Sequence, residues 1–164
     1  MKTTYITGFA LFFSLFLMAQ HTITVDAIEL SFETTVIFKK YDTGSDNVLG
    51  YHNKIKNSDD ENYAIDIELF KIDTQDYSND IKEATTLIAK QLGFTDVEDG
   101  GKLPFIENGY YVLAYDRFAD EITPVYIIFI KNEAINEAYE ATLYCYNKNK
   151  KDGLKMARSF KFLD

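Results

Sequence analysis

The second half of the chain contains two segments that are apolar at both even and odd positions. YYVLAYDRF covers residues 110–118, and VYIIFI covers residues 125–130. Successive residues of a strand point to opposite faces, so a sheet covered on one side only would alternate apolar and polar residues. These segments therefore predict central strands buried on both faces. We expect a helix at 80–92 to cover one face and a shorter helix at 152–159 to cover the other.

The remaining pattern predicts further strands. Alternation over 28–38 predicts a strand with one solvent-facing side, and 48–56 with 63–72 predicts a hairpin. The inner face of that hairpin is expected to carry Tyr63, Ile65, Ile67 and Leu69. Four more strands are expected at 103–106, 110–118, 125–130 and 139–146, and the final residues SFKFLD are expected to be extended. The predicted fold class is α+β: an antiparallel β-sheet of about six to seven strands with helices packed on it, as an α/β/α sandwich.

The segment 80–92 carries the signals that begin and end a helix. Asp80 offers a capping oxygen, and Glu83 follows it by three residues. Ile81, Ala84, Ile88 and Leu92 share one face. Gly93 predicts a left-handed end to the helix, after which Phe94 folds back onto the last turn.

The N-terminal segment predicts export. Lys2 precedes an apolar run that ends near Ala19, which is typical of a signal peptide over residues 1–20 and too short for a membrane-spanning helix. Cleavage after Ala27 is a second option, and His21 would then be lost. No cysteine follows the apolar run, so a lipoprotein is not expected. Residues 21–164 are expected to form a single periplasmic or secreted domain, with no stable membrane insertion after cleavage.

The charge of the chain argues against nucleic acid as a partner. Its 26 acidic and 17 basic residues give a formal net charge of −9, and signal-peptide removal would make this −10 by taking away Lys2. An anionic protein repels phosphate backbones unless a basic patch overrides the charge. The basic residues Lys148, Lys150 and Lys151 are read as a solvated loop.

The order of elements and the tail Ser159-Phe160-Lys161-Phe162 resemble the PsbP-like family of exported proteins. The resemblance covers roughly residues 28–164, and it implies an α/β/α sandwich. Family members in plants are non-catalytic subunits that assist the oxygen-evolving photosystem. The resemblance transfers no site residue to this chain.

The sequence Asp42-Thr43-Gly44-Ser45 matches the usual spelling of an aspartic-protease loop. Such an enzyme needs two copies of the loop so that two carboxylates can share a proton. This chain has one copy, flanked by polar residues. We therefore predict a turn in which Asp42 accepts a hydrogen bond from the local backbone and Gly44 or Asn47 takes a positive φ.

The sequence offers no cofactor site and no metal site. The acid-rich loops around Asp42 and over Asp59, Asp60 and Glu61 lack the ligand spacing of a calcium loop. Cys145 is the only cysteine, which excludes an intramolecular disulfide, and its alternation pattern predicts a buried side chain. His52 is expected to be a surface residue, and nothing in the pattern brings it to Cys145 as a nucleophilic pair would require.

Aromatic residues supply the remaining candidate site. If the shorter helix only partly covers its face of the sheet, Tyr110, Asp116, Tyr126, Tyr144 and Tyr146 could line a binding groove, although core packing would also account for these tyrosines. The expected function is non-enzymatic binding of a partner protein or a small molecule. The alternatives are a carboxylate-dependent hydrolase and a structural envelope protein.

Overall fold

A computed structural model of the chain describes residues 21–34, 37–45, 48–54, 63–72, 80–118, 121–146 and 149–163. The predicted signal peptide, the acidic loop at 59–61, and Asn47 lie outside these residues. The described residues form the helices α1 (Ile81–Gln91) and α2 (Lys150–Ala157), and the strands β1 (His21–Val25), β2 (Leu30–Thr34), β3 (Lys39–Tyr41), β4 (Val48–Lys54), β5 (Tyr63–Ile72), β6 (Val97–Lys102), β7 (Gly109–Phe118), β8 (Glu121–Asn132), β9 (Glu137–Cys145) and β10 (Lys161–Phe162).

These strands make two sheets, and every strand pairing is antiparallel. The larger sheet has the order β3-β4-β5-β9-β8-β7-β6, and the smaller has the order β1-β2-β10. The predicted α+β class is confirmed, with seven strands in the main sheet. No pattern in the sequence indicated the second sheet.

The central strands are buried on both faces, as predicted. Val112 and Leu113 are adjacent on β7, and both are buried. Val112 belongs to the core beneath α1, whereas Leu113 belongs to the core on the opposite face, with Met156 of α2. That second core also takes Phe32 of the small sheet, so α2 shares its side with β2.

Helix α1 begins and ends at the predicted residues. One carboxylate oxygen of Asp80 accepts hydrogen bonds from the backbone N–H groups of Lys82 and Glu83 at 2.9 and 3.2 Å. Gly93 has φ +92°, and the N–H of Phe94 donates to the carbonyl of Ala89 at 3.0 Å. Both contacts satisfy backbone groups that a helix end leaves free.

Leu92 departs from the prediction that it shares the buried face of α1. Its side chain is 46% exposed. Leu92 is the C-cap residue, one position beyond the last residue of α1.

The predicted strand at 103–106 is wrong. The strand is β6, and residues 103–106 form a turn whose Leu103 and Ile106 are still buried. Gly100 and Gly101 lie within β6, although glycine is depleted in strands. In the structure, a Cβ on Gly100 would lie 1.8 Å from the carbonyl oxygen of Tyr111, so glycine permits the close approach at an irregularity in the β6–β7 pairing.

The predicted strand over 28–38 is also shorter than expected. A turn at Asp26–Ile28 precedes Glu29, which has φ +52°, and β2 then ends at Thr34. Ser31 was expected to face solvent, but it is buried because β10 pairs beside it. His21 lies beside the predicted cleavage site, and in the described structure it pairs with Thr34 in β1.

The C-terminal tail is held against β2. The hydroxyl of Ser159 accepts a hydrogen bond from the N–H of Glu33 at 2.8 Å and donates to the carbonyl of Met156 at 2.7 Å. The ring of Phe160 is fully buried and stacks on Phe32 at 5.2 Å between centroids. These contacts fix the end of α2 and extend the tail along the small sheet, as the extended SFKFLD segment predicted.

Gly153 is the position where α2 comes nearest to the main sheet. A Cβ built on Gly153 would lie 2.2 Å from Sγ of Cys145 and 3.1 Å from a ring carbon of Tyr126. We expect Gly153→Ala to lower the free energy of unfolding by about 1–3 kcal/mol through overpacking, despite alanine's higher helix propensity. Adding Cys145→Ala should restore part of the loss, and the exposed Lys151→Ala should change little. Urea unfolding of the four proteins measures this, and equal stability of Gly153→Ala and the parent chain would contradict the packing.

Candidate functional site

Helix α1 covers only part of its face of the main sheet. It packs against β6, β7 and β8, and neither described helix makes comparable contact with β3, β4 or β5. On β5, Ile65, Ile67 and Leu69 are buried in the opposite core, so the residues between them point to the α1 side. Carboxylates and tyrosines gather there. We name this surface the acidic-aromatic face, and it comprises Tyr41, Asp66, Glu68, Asp116, Glu140, Tyr144 and Tyr146.

The strand register places these residues in rows. Asp66 lies opposite His52 on β4 and opposite Tyr144 on β9. Glu68, two residues further along β5, lies opposite Gly50 and Thr142. Same-face neighbours on paired strands are close enough for their side chains to interact.

Tyr41 connects the two carboxylates of β5. Its hydroxyl lies 3.1 Å from a carboxylate oxygen of Glu68 and 3.4 Å from one of Asp66, and it donates its single proton to one of them at a time. The ring stacks on His52 at 5.1 Å and crosses Gly50, where a Cβ would lie 2.4 Å from the ring. Burial, followed by the charges of Asp66 and Glu68, raises the pKa of Tyr41, so the hydroxyl remains a donor.

Asp66 is held in surroundings that disfavour its charge. Its Oδ1 is buried and has no hydrogen-bond partner among the described residues. Burial raises the pKa of Asp66, and the negative charge of Glu68 adds to the rise, while the Tyr41 hydroxyl and His52 oppose it.

Glu140 on β9 is a second carboxyl group in surroundings that disfavour its charge. Its side chain is only 6% exposed, and its Oε1 accepts a hydrogen bond from the Thr142 hydroxyl at 3.2 Å. Burial raises the pKa of Glu140, and the charge of Glu68 raises it further. Buried carboxylates usually have a cationic partner, because desolvation is costly for an unpaired charge.

Ion pairs between described residues all lie away from the acidic-aromatic face. They are Lys71–Glu137, Lys82–Asp99, Arg117–Asp96, Lys131–Glu133 and Lys155–Asp152. The carboxylates of the face are therefore not neutralised by a lysine or arginine within the described part of the chain.

Two tyrosines border the carboxylates. Tyr144 and Tyr146 are partly exposed, and their rings lie 6.3 Å apart and nearly parallel. Burial and the charge of Asp66 are the first causes that raise the pKa of Tyr146 to about 12, and Asp116 contributes too. The pair offers flat apolar surface beside negative charge.

The five predicted binding residues do not all lie together in the structure. It brings Asp116, Tyr144 and Tyr146 together, but on the α1 side of the sheet rather than beside α2. Tyr110 lies under α1 and donates to Asp99 at 2.7 Å. Tyr126 points to the opposite face, is 2% exposed, and donates to the carbonyl of Lys150 at 3.1 Å. Tyr110 and Tyr126 therefore serve packing, and the binding role of the others remains a prediction.

Four residues of the face were missed in the sequence: Tyr41, Asp66, Glu68 and Glu140. The alternation in YAIDIELFKI does place Asp66 and Glu68 on one side of a strand. His52 was also interpreted as a surface residue, whereas it is partly buried and stacked on Tyr41.

Asp42 and Cys145 lie in the surroundings that the sequence predicted. Asp42 accepts a hydrogen bond from the N–H of Gly44 at 2.9 Å, and Gly44 has φ +73°, which confirms the predicted turn. Cys145 is fully buried on the α2 side, and burial is the main cause that raises its pKa to about 12. His52 points to the α1 side, so the two cannot form a nucleophilic pair. Within the described ranges, no three His, Cys, Asp or Glu side chains are placed to hold a metal ion.

The raised pKa of Asp66 predicts how stability depends on pH. The folded state holds a proton on Asp66 at pH values where the unfolded chain has lost it, so stability falls as pH rises from the ordinary aspartate pKa through the raised one. Asp66→Asn should therefore melt at a higher temperature than the parent chain at neutral pH, and the difference should shrink as pH falls toward 4. Asp152→Asn, at an exposed ion pair, is the matched control. Thermal unfolding across pH tests this, and a lower melting temperature for Asp66→Asn at neutral pH would refute it.

Comparisons with known proteins find similar folds but do not indicate a function. No protein-family model matches the chain, and no curated protein matches its sequence. Among solved structures, the chain is similar to a mutant of protein Mog1, with a TM-score of 0.64, 13% identity, and coverage of 88% of this chain and 96% of that one. It is also similar to a Bacteroides thetaiotaomicron protein, with a TM-score of 0.50 and 9% identity, covering 87% of this chain and 48% of that one. Similarity at these identities shows the α+β fold alone, and the PsbP-like resemblance stays a prediction.

Proposed function

We propose that this protein is an exported, non-catalytic domain that binds a partner protein or a small ligand on its acidic-aromatic face. The observation that carries the proposal is the set of carboxylates at Asp66, Glu68 and Glu140, which has no ion pair to a described lysine or arginine and lies beside partly exposed tyrosine rings. Charged groups held in unfavourable surroundings are concentrated at functional sites.

Export is supported by the sequence pattern of residues 1–20. No described helix has the length and apolar character needed to cross a bilayer. The first described strand, β1, covers His21–Val25. A cut after Ala27 would remove β1 from the small sheet, so cleavage near Ala19 agrees better with the fold.

A carboxylate-dependent hydrolase is the second candidate. The observation in its favour is that Asp66 and Glu68 share the hydroxyl of Tyr41, while burial raises the pKa of Asp66. A carboxylic acid whose pKa is raised can act as a general acid beside an ionised neighbour. Binding is the better-supported proposal because these acids lie on a sheet surface beside aromatic rings.

Capture from the organism's own exported fraction tests the binding proposal. The immobilised chain should retain a protein or small molecule that Asp66→Asn with Glu68→Gln retains about tenfold less, since hydrogen bonds to charged groups contribute about 1.5–3 kcal/mol each. The matched control is Glu133→Gln with Asp152→Asn, which removes two solvent-exposed carboxylates elsewhere. Mass spectrometry identifies and quantifies the retained species. Equal retention by the face variant and its control would overturn the proposal.

Hydrolase activity is tested with the same variants. We expect no turnover of peptide, ester or glycoside substrates between pH 4 and 8. We also expect Asp42→Ala to retain the same partners as the parent chain, because Asp42 only forms a turn. An activity lost in Asp66→Asn would favour the second candidate. A pepstatin-sensitive, acid-optimal peptidase activity lost in Asp42→Ala would instead restore the aspartic-protease interpretation.

A further inference from the structure

We propose that the occupant of the acidic-aromatic face is an extended segment of a partner protein that carries lysine or arginine side chains. This inference rests on the proposed binding function and names the chemistry of its partner. It is argued from the charge, spacing and aromatic content of the acidic-aromatic face, whose β3 and β5 residues lie on strands that neither described helix contacts comparably.

Charge complementarity is the first step. Asp66, Glu68 and Asp116 are at least partly exposed, and Glu140 lies behind them. The described ion pairs involve none of these four residues. A cationic group placed here would pair with the exposed carboxylates and weaken the repulsion that Glu68 exerts on Asp66 and Glu140.

The spacing of the acids favours an extended chain. Asp66 and Glu68 are successive residues on one face of β5, and such residues lie about 7 Å apart. Alternate side chains of an extended peptide repeat at the same interval. Basic residues at alternating positions could therefore meet both carboxylates without bending the peptide or the sheet.

The tyrosines fit the same partner. Aliphatic stems of lysine and arginine pack on flat apolar surface, and their charged groups bind over aromatic rings. The protein already contains a lysine that binds a tyrosine through its hydroxyl: Nζ of Lys150 donates to the hydroxyl of Tyr115 at 2.8 Å. Tyr144 and Tyr146 offer two partly exposed rings beside the carboxylates.

Other occupants fit less well. A second copy of this chain would bring a net charge of −9 against the acids. A metal ion would need convergent ligands, and no group of three is placed for that within the described ranges. A small amine would reach one part of the face, whereas the acids are spread over β5, β7 and β9.

The test uses two end-blocked octapeptides, one alternating lysine with glycine and one alternating glutamine with glycine. Calorimetry on the full mature chain should detect binding of the lysine peptide only, and added salt should weaken it. Asp66→Asn with Glu68→Gln should weaken binding about tenfold or more. Glu133→Gln with Asp152→Asn makes the same charge change elsewhere and should stay within about twofold, because exposed ion pairs contribute little. Circular dichroism and thermal unfolding verify that each variant is folded.

Several results would overturn the inference. One is equal weakening by the two variants, because binding would then reflect net charge alone. Another is spermidine binding as tightly as the lysine peptide and at the same carboxylates, which would mark a small-amine site. Self-association of the parent chain that is abolished in the face variant would identify a second copy as the occupant.

The proposed function can survive a failure of this inference. If the face variant loses its partner from the exported fraction but the lysine peptide does not bind the parent chain, binding at the face stands and the cationic segment is rejected. If neither capture nor peptide binding depends on the face, both proposals fall.

Discussion

The fold depends on the pairing of β5 with β9, which joins the N-terminal hairpin to the C-terminal meander. Eight residue pairs connect the strands, from Ile65 with Cys145 to Ile72 with Ala138. Each pair closes a long stretch of chain, so loop entropy opposes it until the flanking side chains are buried. Ile67 lies opposite Leu143, and both are fully buried in the same core. The apolar faces of the two halves thus provide the free energy that closes the sheet.

The same pairing fixes the acidic-aromatic face. Ile65, Ile67 and Leu69 are buried on the α2 side. Because side chains alternate along a strand, Asp66 and Glu68 must point to the α1 side. A slip of one residue would place both carboxylates in the apolar core. Core packing therefore sets the position of the charges, while α1 covers β6, β7 and β8 and leaves the rest of that face to them.

Local signals in the sequence predicted the local structure. The caps of α1, the β4–β5 hairpin and the covering of both sheet faces followed from patterns within short segments. The glycine-rich β6 and the small sheet did not, because a close approach to Tyr111 and a pairing between β2 and the distant tail leave no local pattern. The candidate site could also be predicted only in part. Alternation places Asp66 and Glu68 on one face of β5, whereas the position of Tyr144 beside them depends on the non-local β5–β9 register.

The electrostatics of the face connect stability to the proposed binding. Burial and the charge of Glu68 disfavour the ionised forms of Asp66 and Glu140. The folded protein is therefore less stable when Asp66, Glu68 and Glu140 are all ionised than when Asp66 and Glu140 are protonated. Local free-energy costs of this kind are characteristic of functional sites, because a ligand can remove them. A cation bound here would weaken the repulsion among the carboxylates and favour their ionised forms. Part of its binding free energy would therefore come from weakening the carboxylate repulsion that the β5–β9 register imposes on the free protein.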